Sequence, residues 1–241
     1  IKEVKMMEFI YEKKIEYGMC DTNAFLKIPE ILKMVEAGAA SFLGIYHKDN
    51  LSVKKDYQAL WLFTKTCFQI KRLPVWDETV VIEACRVEYE SKVSCIIEVY
   101  IHPKNRQDGI TAWVECLTAS IASRKLLRLQ AIDFQVPISK PCPIEFSKWD
   151  ADCIEERRLT VSSSYLDYSR HVNNAEYLRI LFDGYSLAEI EKMKVSFVEI
   201  HYLKESRESD ILSIRKKTDG KLTYFQIMKD VPVLKMLMKE E

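Results

Sequence analysis

The sequence predicts an α+β fold built from two successive units, each with one helix followed by an antiparallel β-sheet. In each half, an amphipathic segment with helical spacing precedes several β-type segments joined by short turns. A proline-rich stretch without clear periodicity separates the halves. Short turns favour antiparallel pairing, because parallel strands need crossover connections. A single amphipathic helix also needs a sheet on which to bury its apolar face.

The first unit begins with a predicted helix near Pro29, a residue that suits the first helical turn because its missing N–H is not needed there. Apolar residues recur at helical spacing from this point to Phe42. Four β-type segments follow, and Asp108-Gly109 before the last of them is a strong hairpin signal. These segments are Leu60–Ile70, Glu78–Val87, Val93–Ile101 and Ile110–Ile121.

The chain changes character between residues 129 and 154, where three prolines fall close together among polar residues. Proline removes a ladder donor and restricts the residue before it, so this stretch is predicted to be an extended connector. We therefore assign residues 1–128 to the first unit, 129–154 to the connector and 155–241 to the second unit.

The second unit repeats the order of helix and sheet. A predicted helix follows Asn173-Asn174, and a hairpin signal lies at Asp219-Gly220. Aligning the loops before the two helices, with Asp21 on Asp167, places Leu32 on Leu178, which suggests a duplicated unit. The predicted strands of the second unit are Val195–Tyr202, Asp210–Lys216 and Leu222–Met228.

The composition argues against several classes of protein. Lys and Arg number 36 and Asp and Glu also 36, so the chain lacks the positive charge of a general nucleic-acid binder. No stretch approaches the roughly 20 apolar residues of a membrane-spanning helix. The absence of a glycine-rich phosphate loop predicts no nucleotide cofactor.

The cysteines and histidines predict neither disulfides nor a metal site. The seven cysteines are odd in number and form no Cys-x-x-Cys pair, which favours reduced thiols and a cytoplasmic location. The four histidines are not paired at ligand spacing. The first ten residues have no apolar block and no small-residue cleavage site, so no secretory signal is expected there.

The densest group of polar residues lies at 166–174, directly before the second helix. His171 would lie near the positive end of that helix, which favours a neutral ring that can both donate and accept. Asp167 could bind one ring nitrogen, and Glu205, beyond a predicted strand, could act as a general base. The alternatives are that Asp167 and its neighbours only form turns and caps, and that Glu205 is a solvated acid.

These residues resemble the signature of the plant and bacterial acyl-acyl-carrier-protein thioesterases. The segment Asp167–Tyr177 is similar to the family motif Asp-x-Asn-x-His-Val-Asn-Asn followed by Tyr. Lys204-Glu205-Ser206 is similar to the family's Arg-Glu-Cys. The 34 residues from His171 to Glu205 agree with the family spacing, and the resemblance covers nearly the whole chain.

The resemblance implies a tandem double hot-dog fold, in which each unit is a long helix wrapped by an antiparallel sheet. It implies hydrolysis of fatty acyl-acyl-carrier-protein in fatty acid biosynthesis, with acyl carrier protein and a fatty acyl thioester as partners and no cofactor. The first unit would shape the acyl pocket and the second would supply the chemistry. The implied residues are Asp167, Ser169, His171 and Glu205 for catalysis, and Asn173 and Asn174 for substrate binding.

Two departures from the family pattern affect the predicted mechanism. Ser169 stands where the family has Asn, so the longer reach of an amide is lost. Ser206 stands where many plant members have Cys, which counts against a covalent Cys–His route. We therefore expect direct attack by a water molecule that Glu205 deprotonates, with His171 bound to the water or to the thioester carbonyl.

Three further questions stay open on the sequence alone. A coenzyme A thioesterase of the same fold and a non-catalytic acyl-binding protein are the competing interpretations. Both a monomer and a homodimer are compatible with two units that can pack within one chain. The basic residues Arg124, Lys125 and Arg128, and the pair Arg157-Arg158, are candidate docking sites for an acidic carrier protein.

Overall fold

The computed structural model describes residues 8–105 and 108–241. Its helices are α1 (Ile28–Ile45), α2 (Asn50–Tyr57), α3 (Asn174–Phe182) and α4 (Leu187–Lys192). Its strands are β1 (Glu8–Lys14), β2 (Ala59–Ile70), β3 (Thr79–Glu88), β4 (Ser94–Pro103), β5 (Ile110–Ser120), β6 (Ile138–Pro141), β7 (Ile154–Thr160), β8 (Val195–Tyr202), β9 (Ile211–Asp219), β10 (Leu222–Met228) and β11 (Pro232–Glu240). Residues 1–7 lie outside the described residues. They make up most of the first ten residues, in which no secretory signal is expected.

The described strands form one continuous sheet in the order β1-β3-β4-β5-β2-β8-β11-β10-β9-β7, with β6 beside β3. β2 and β8 pair antiparallel at its centre, where Cys67 lies opposite Glu199. The two halves of the sheet have the same strand order when each is read from its outer edge to the centre. The first half runs β1-β3-β4-β5-β2, and the second half runs β7-β9-β10-β11-β8. The fold is therefore α+β with two hot-dog units that share one sheet.

The loops that lead into α1 and α3 have the same backbone arrangement. The Asp21 N–H donates to the Phe25 carbonyl at 2.8 Å, and the Asp167 N–H donates to the His171 carbonyl at 2.9 Å. In both loops the residue before the acceptor has a positive φ, 62° in one and 64° in the other. The two loops lie 146 residues apart in the sequence, as the alignment of Asp21 with Asp167 predicts.

The long helix α1 buries its predicted apolar stripe against the sheet. Ile31, Leu32, Val35 and Ala39 are fully buried, and they belong to the main core together with residues of β3, β4 and β5. Pro29 lies in the first turn of α1, as predicted. Burial of this stripe is the main reason that a helix of 18 residues lies flat on the sheet.

The elements that sequence patterns do not predict are mostly polar edges and short helices. β8 and β10 have the predicted bounds, whereas β1, β7, β11, α2 and α4 are additional. β7 has the sequence IEERRLT and is largely exposed at the edge of the sheet. An edge strand of this kind carries charged residues and no apolar alternation, so it gives no signal of burial.

Residues 129–154 are more structured than the extended connector expected from the sequence. They contain a short 3₁₀ helix at Leu129–Ile132 and the strand β6, which pairs parallel with β3. Phe146 packs with Cys67 and Trp113 in a small apolar cluster on the other face of the sheet from the main core. The connector therefore covers apolar side chains that would otherwise face solvent.

Gly220 and Gly109 serve different purposes in the two predicted hairpins. Gly220 has a φ of 58° and is the first residue of the two-residue loop between β9 and β10, as short hairpin turns favour. Gly109 has no such φ, and a Cβ added there would lie 2.2 Å from the Ile101 carbonyl oxygen and 2.9 Å from the Cα of His102. The backbone of β4 passes too close for any side chain at this position.

We expect Gly109→Ala to destabilise the protein by about 2 kcal/mol or more, because two backbone segments must move apart to admit one methyl group. Thermal unfolding followed by circular dichroism measures this loss. Gly18→Ala is the matched control, since a Cβ there meets nothing within 4 Å. Equal melting temperatures for the two variants would contradict the assigned role of Gly109.

Candidate functional site

Two loops carry the predicted polar residues, and a backbone hydrogen bond joins them. The first loop precedes α3 and contains His171, and the second follows β8 and contains Glu205. The Val172 N–H donates to the Ser206 carbonyl at 2.9 Å, which links the residues directly after His171 and Glu205. The two side chains are therefore held together although they are 34 positions apart in the sequence.

His171 and Glu205 are in direct contact. The Nε2 atom of His171 lies 3.1 Å from the Oε2 atom of Glu205. The imidazole is 19% exposed and the carboxylate 48% exposed, so the pair lies at the border between protein and solvent. This places a carboxylate and an imidazole within reach of the same small molecule, as general acid–base chemistry requires.

Ser169 links Asp167 to the other side of the imidazole. Its Oγ donates to Asp167 Oδ1 at 2.5 Å and lies 3.3 Å from His171 Nδ1. The Ser169 N–H also donates to Asp167 Oδ1, at 2.7 Å. Asp167 was expected to bind the ring itself, and in the structure it reaches the ring through Ser169.

The proton positions follow from this order of donors. The carboxylate of Asp167 only accepts, so the single hydroxyl proton of Ser169 points to it. The Ser169 oxygen can then accept a hydrogen bond from His171 Nδ1. The Nε2 atom is then the ring nitrogen that faces the Glu205 carboxylate.

Asn173 and Asn174 begin the helix α3 and have different partners. Asn173 is the N-cap, and its Oδ1 accepts from the Ala175 N–H at 2.9 Å. Asn174 instead donates from Nδ2 to Oε1 of Glu36 on α1, at 2.7 Å. Asn173 thus fixes the start of the helix, whereas Asn174 connects it to the first unit.

A cavity of about 680 Å³ opens beside the His171–Glu205 pair. Its lining includes the apolar segment Leu60–Phe63 of β2 and the polar residues at the start of α3. Trp61 forms a rigid part of the wall, since its Nε1 donates to the Lys48 carbonyl at 2.6 Å and its ring lies edge-on to Phe134. The cavity joins an apolar surface from the first unit to the polar loops of the second.

Glu36 is a site residue that was not found from the sequence. It lines the cavity, and burial raises its pKa to about 7, although the hydrogen bond from Asn174 opposes the rise and the charge of Asp167 adds to it. Glu36 falls in the apolar stripe of α1, four residues after the buried Leu32. An acid inside such a stripe is the signal that could have identified it.

The corresponding place in the first unit carries no such pair. The loop before α1 is bonded to the chain after β2 by the Leu26 N–H and the Pro74 carbonyl, at 2.9 Å, in the same way as Val172 and Ser206. By this correspondence Phe25 takes the place of His171 and Leu73 that of Glu205. Two apolar side chains cannot exchange protons. Of these two corresponding places in the described residues, the one in the second unit therefore carries the acid–base pair.

The two predicted basic patches differ in whether their side chains are free to contact a partner protein. Arg124 lines the mouth of the cavity, and Lys125 and Arg128 are exposed nearby in the sequence. In the other patch, Arg158 is paired with Glu155 at 2.8 Å, and Arg157 donates to the Ile180 carbonyl. The patch that contains Arg124 is therefore the one next to the site.

The described residues contain neither a cluster of metal-binding side chains nor a helix that could span a membrane. Within 8–105 and 108–241, no group of three or more His, Cys, Asp or Glu could hold a metal ion. No helix in this part of the chain is long and apolar enough to cross a membrane. The cysteines Cys67 and Cys116 are buried, and all seven thiols are free.

Comparison with known proteins identifies the family. Residues 7–130 match the model of the acyl-ACP thioesterase N-terminal domain, and residues 150–233 match that of the acyl-ACP thioesterase C-terminal domain. No match is found among the curated proteins.

Solved structures show the same fold at low sequence identity. An acyl-ACP thioesterase from Bacteroides thetaiotaomicron is 17% identical, with 100% of both chains covered and a TM-score of 0.88. The 12:0-ACP thioesterase from Umbellularia californica is 16% identical, with 98% of this chain and 97% of that chain covered and a TM-score of 0.79. The two family models together span most of the sequence, and the chain therefore belongs to the acyl-ACP thioesterase family of thioester hydrolases.

Proposed function

We propose that this protein hydrolyses a fatty acyl-acyl-carrier-protein thioester to a free fatty acid and the carrier protein, with His171 and Glu205 as its catalytic residues. The observation that carries the proposal is the 3.1 Å contact between these two side chains at the wall of a cavity of about 680 Å³. The apolar part of the wall suits an acyl chain, since each buried methylene contributes about 0.8 kcal/mol.

In the proposed reaction, Glu205 takes a proton from a water molecule and the resulting hydroxide attacks the thioester carbonyl carbon. The tetrahedral intermediate then breaks its C–S bond, and the pair returns a proton to the leaving thiolate. His171 holds the carboxylate in place through the contact of its Nε2 atom with Glu205 Oε2. Asp167 and Ser169 keep the ring in one orientation by their bonds to its Nδ1 side.

The start of α3 is the proposed binding site for the developing oxyanion. The N–H groups of a helix N-terminus favour negative charge. Asn173 already occupies the Ala175 N–H, so we assign the oxyanion contact to the N–H of Asn174. This hydrogen bond would strengthen as negative charge develops on the carbonyl oxygen. It would therefore stabilise the transition state more than the bound substrate, which lowers the activation barrier.

We further propose that the carrier protein docks beside Arg124, and that the protein works in the cytoplasm. Arg124 lies at the cavity mouth, where a positive side chain can steer an acidic partner. Seven free cysteines support a reducing compartment. The monomer and the homodimer both remain predictions, which analytical ultracentrifugation separates.

We expect His171→Ala and Glu205→Gln each to lower kcat/KM for a fatty acyl thioester by about 100-fold or more, because each removes one half of the proton-transferring pair. Release of free thiol from a series of acyl-carrier-protein thioesters of graded chain length measures the rate. His47→Ala and Glu208→Gln make the same chemical changes at exposed positions and should leave the rate intact. Near-normal hydrolysis by both site variants, with the fold preserved, would refute the assignment.

Charge reversal of Arg124, Lys125 and Arg128 to Glu should raise KM for carrier-protein substrates, since the acidic partner would then be repelled. Short acyl thioesters without a carrier should be hydrolysed as before. Lys221→Glu, on the exposed turn between β9 and β10, serves as the charge-matched control. An equal rise in KM for both kinds of substrate would eliminate docking at this patch.

A further inference from the structure

Glu36 makes a polar connection from the first unit into the site of the second. Its Oε1 accepts from Asn174 Nδ2 at 2.7 Å, and Asn174 is the first residue of α3, three positions after His171. Both residues line the same cavity as His171 and Glu205. The bond therefore fixes the end of α3 at which the reacting carbonyl is proposed to bind.

The duplicated fold does not need this polar connection. The position that corresponds to Glu36 in α3 is Phe182, and the position that corresponds to Asn174 in α1 is Ile28, each 146 residues away. The other half of the molecule thus has an apolar pair where these two residues form a hydrogen bond. The polar pair occurs on the side that has His171 and Glu205, which links it to the site.

The position of Glu36 is also unfavourable for stability. The side chain is mostly buried, and burial raises its pKa to about 7. The acidic groups around it are Asp167 on the loop before α3, Tyr202 on β8 and Cys116 on β5. None of these compensates a negative charge. Within the part of the chain that the structure describes, the hydrogen bond from Asn174 is the contact that offsets the desolvation of the carboxylate.

We propose that Glu36 is a positioning residue for thioester hydrolysis, which acts through Asn174 by holding the first turn of α3 in the orientation that receives the carbonyl oxygen. The proposal rests on the proposed function, because the thioester carbonyl defines the geometry that must be held. Glu36 is not a catalytic residue in this scheme, since it touches Asn174 and not the reacting atoms.

A double-mutant cycle tests this role. Glu36→Ala and Asn174→Ala should each lower kcat by about 10- to 100-fold with little change in KM, because a misplaced catalytic contact slows the chemical step. The double variant should be no slower than the slower single variant, since both changes break one connection. Glu36→Gln keeps an acceptor for Asn174 and should retain most of the activity. Glu30→Ala, on the same helix and outside the cavity, should match the unchanged protein.

Unfolding measured against pH tests whether Glu36 is a desolvated acid. The loss of kcat at constant KM and its recovery in Glu36→Gln separate positioning from a merely structural role. The carboxyl of Glu36 binds its proton more tightly when folded than when unfolded, so the stability that this protonated carboxyl contributes is lost as pH rises from about 4.5 through about 7. Glu36→Gln has no proton to lose. Its melting temperature should therefore exceed that of the unchanged protein at pH 8, by a margin that shrinks toward pH 5.

The outcomes are distinct. Multiplicative losses in the cycle or an unchanged kcat in Glu36→Ala would each overturn the positioning role. A lower melting temperature of Glu36→Gln at pH 8 would overturn the assignment of Glu36 as a desolvated acid. If the unchanged protein releases no thiol from any acyl thioester, the proposed function itself fails. If it does so and Glu36→Ala works equally well, the positioning role fails alone.

Discussion

The backbone hydrogen bond from the Val172 N–H to the Ser206 carbonyl is the constraint on which the site depends. It joins the loop before α3 to the chain that leaves β8, and so it brings His171 and Glu205 to 3.1 Å. The same bond exists between Leu26 and Pro74 in the other half, where it holds no polar pair. It is thus a feature of the hot-dog unit, and the side chains beside it decide whether chemistry follows.

The near-symmetry of the sheet explains how one chain can hold a single polar site. β2 and β8 meet at the Cys67–Glu199 pair, and the remaining strands follow outward in matching order. Each unit joins a helix start to a strand end by one backbone hydrogen bond. In the second unit, the first unit adds an apolar wall to this place. One of the two resulting places carries His171 and Glu205, and the other carries Phe25 and Leu73.

Function and stability are opposed in this cavity. An apolar wall for an acyl chain leaves little to solvate the acid Glu36, whose pKa rises to about 7. Sites of this kind often hold residues that a stable core would exclude. On the other face of the sheet, the connector favours stability. It covers apolar residues such as Trp113, and Ser147 donates two hydrogen bonds to the carboxylate of Glu199.

The sequence by itself determined the order of helix and sheet, the duplication and the polar loop before α3, because apolar periodicity and turn residues act locally. It also contained the family signature that includes His171 and Glu205. Only the tertiary structure decided that Asp167 reaches the imidazole through Ser169 and that α1 supplies Glu36 to the site. The Glu36–Asn174 contact depends on the packing of α1 against α3, which leaves no trace in local sequence spacing. The contacts of Ser169 depend on how the side chains turn within one loop, which residue types alone do not fix. The edge strand β7 likewise forms because it pairs with β9. Its own exposed, charged residues do not predict a strand.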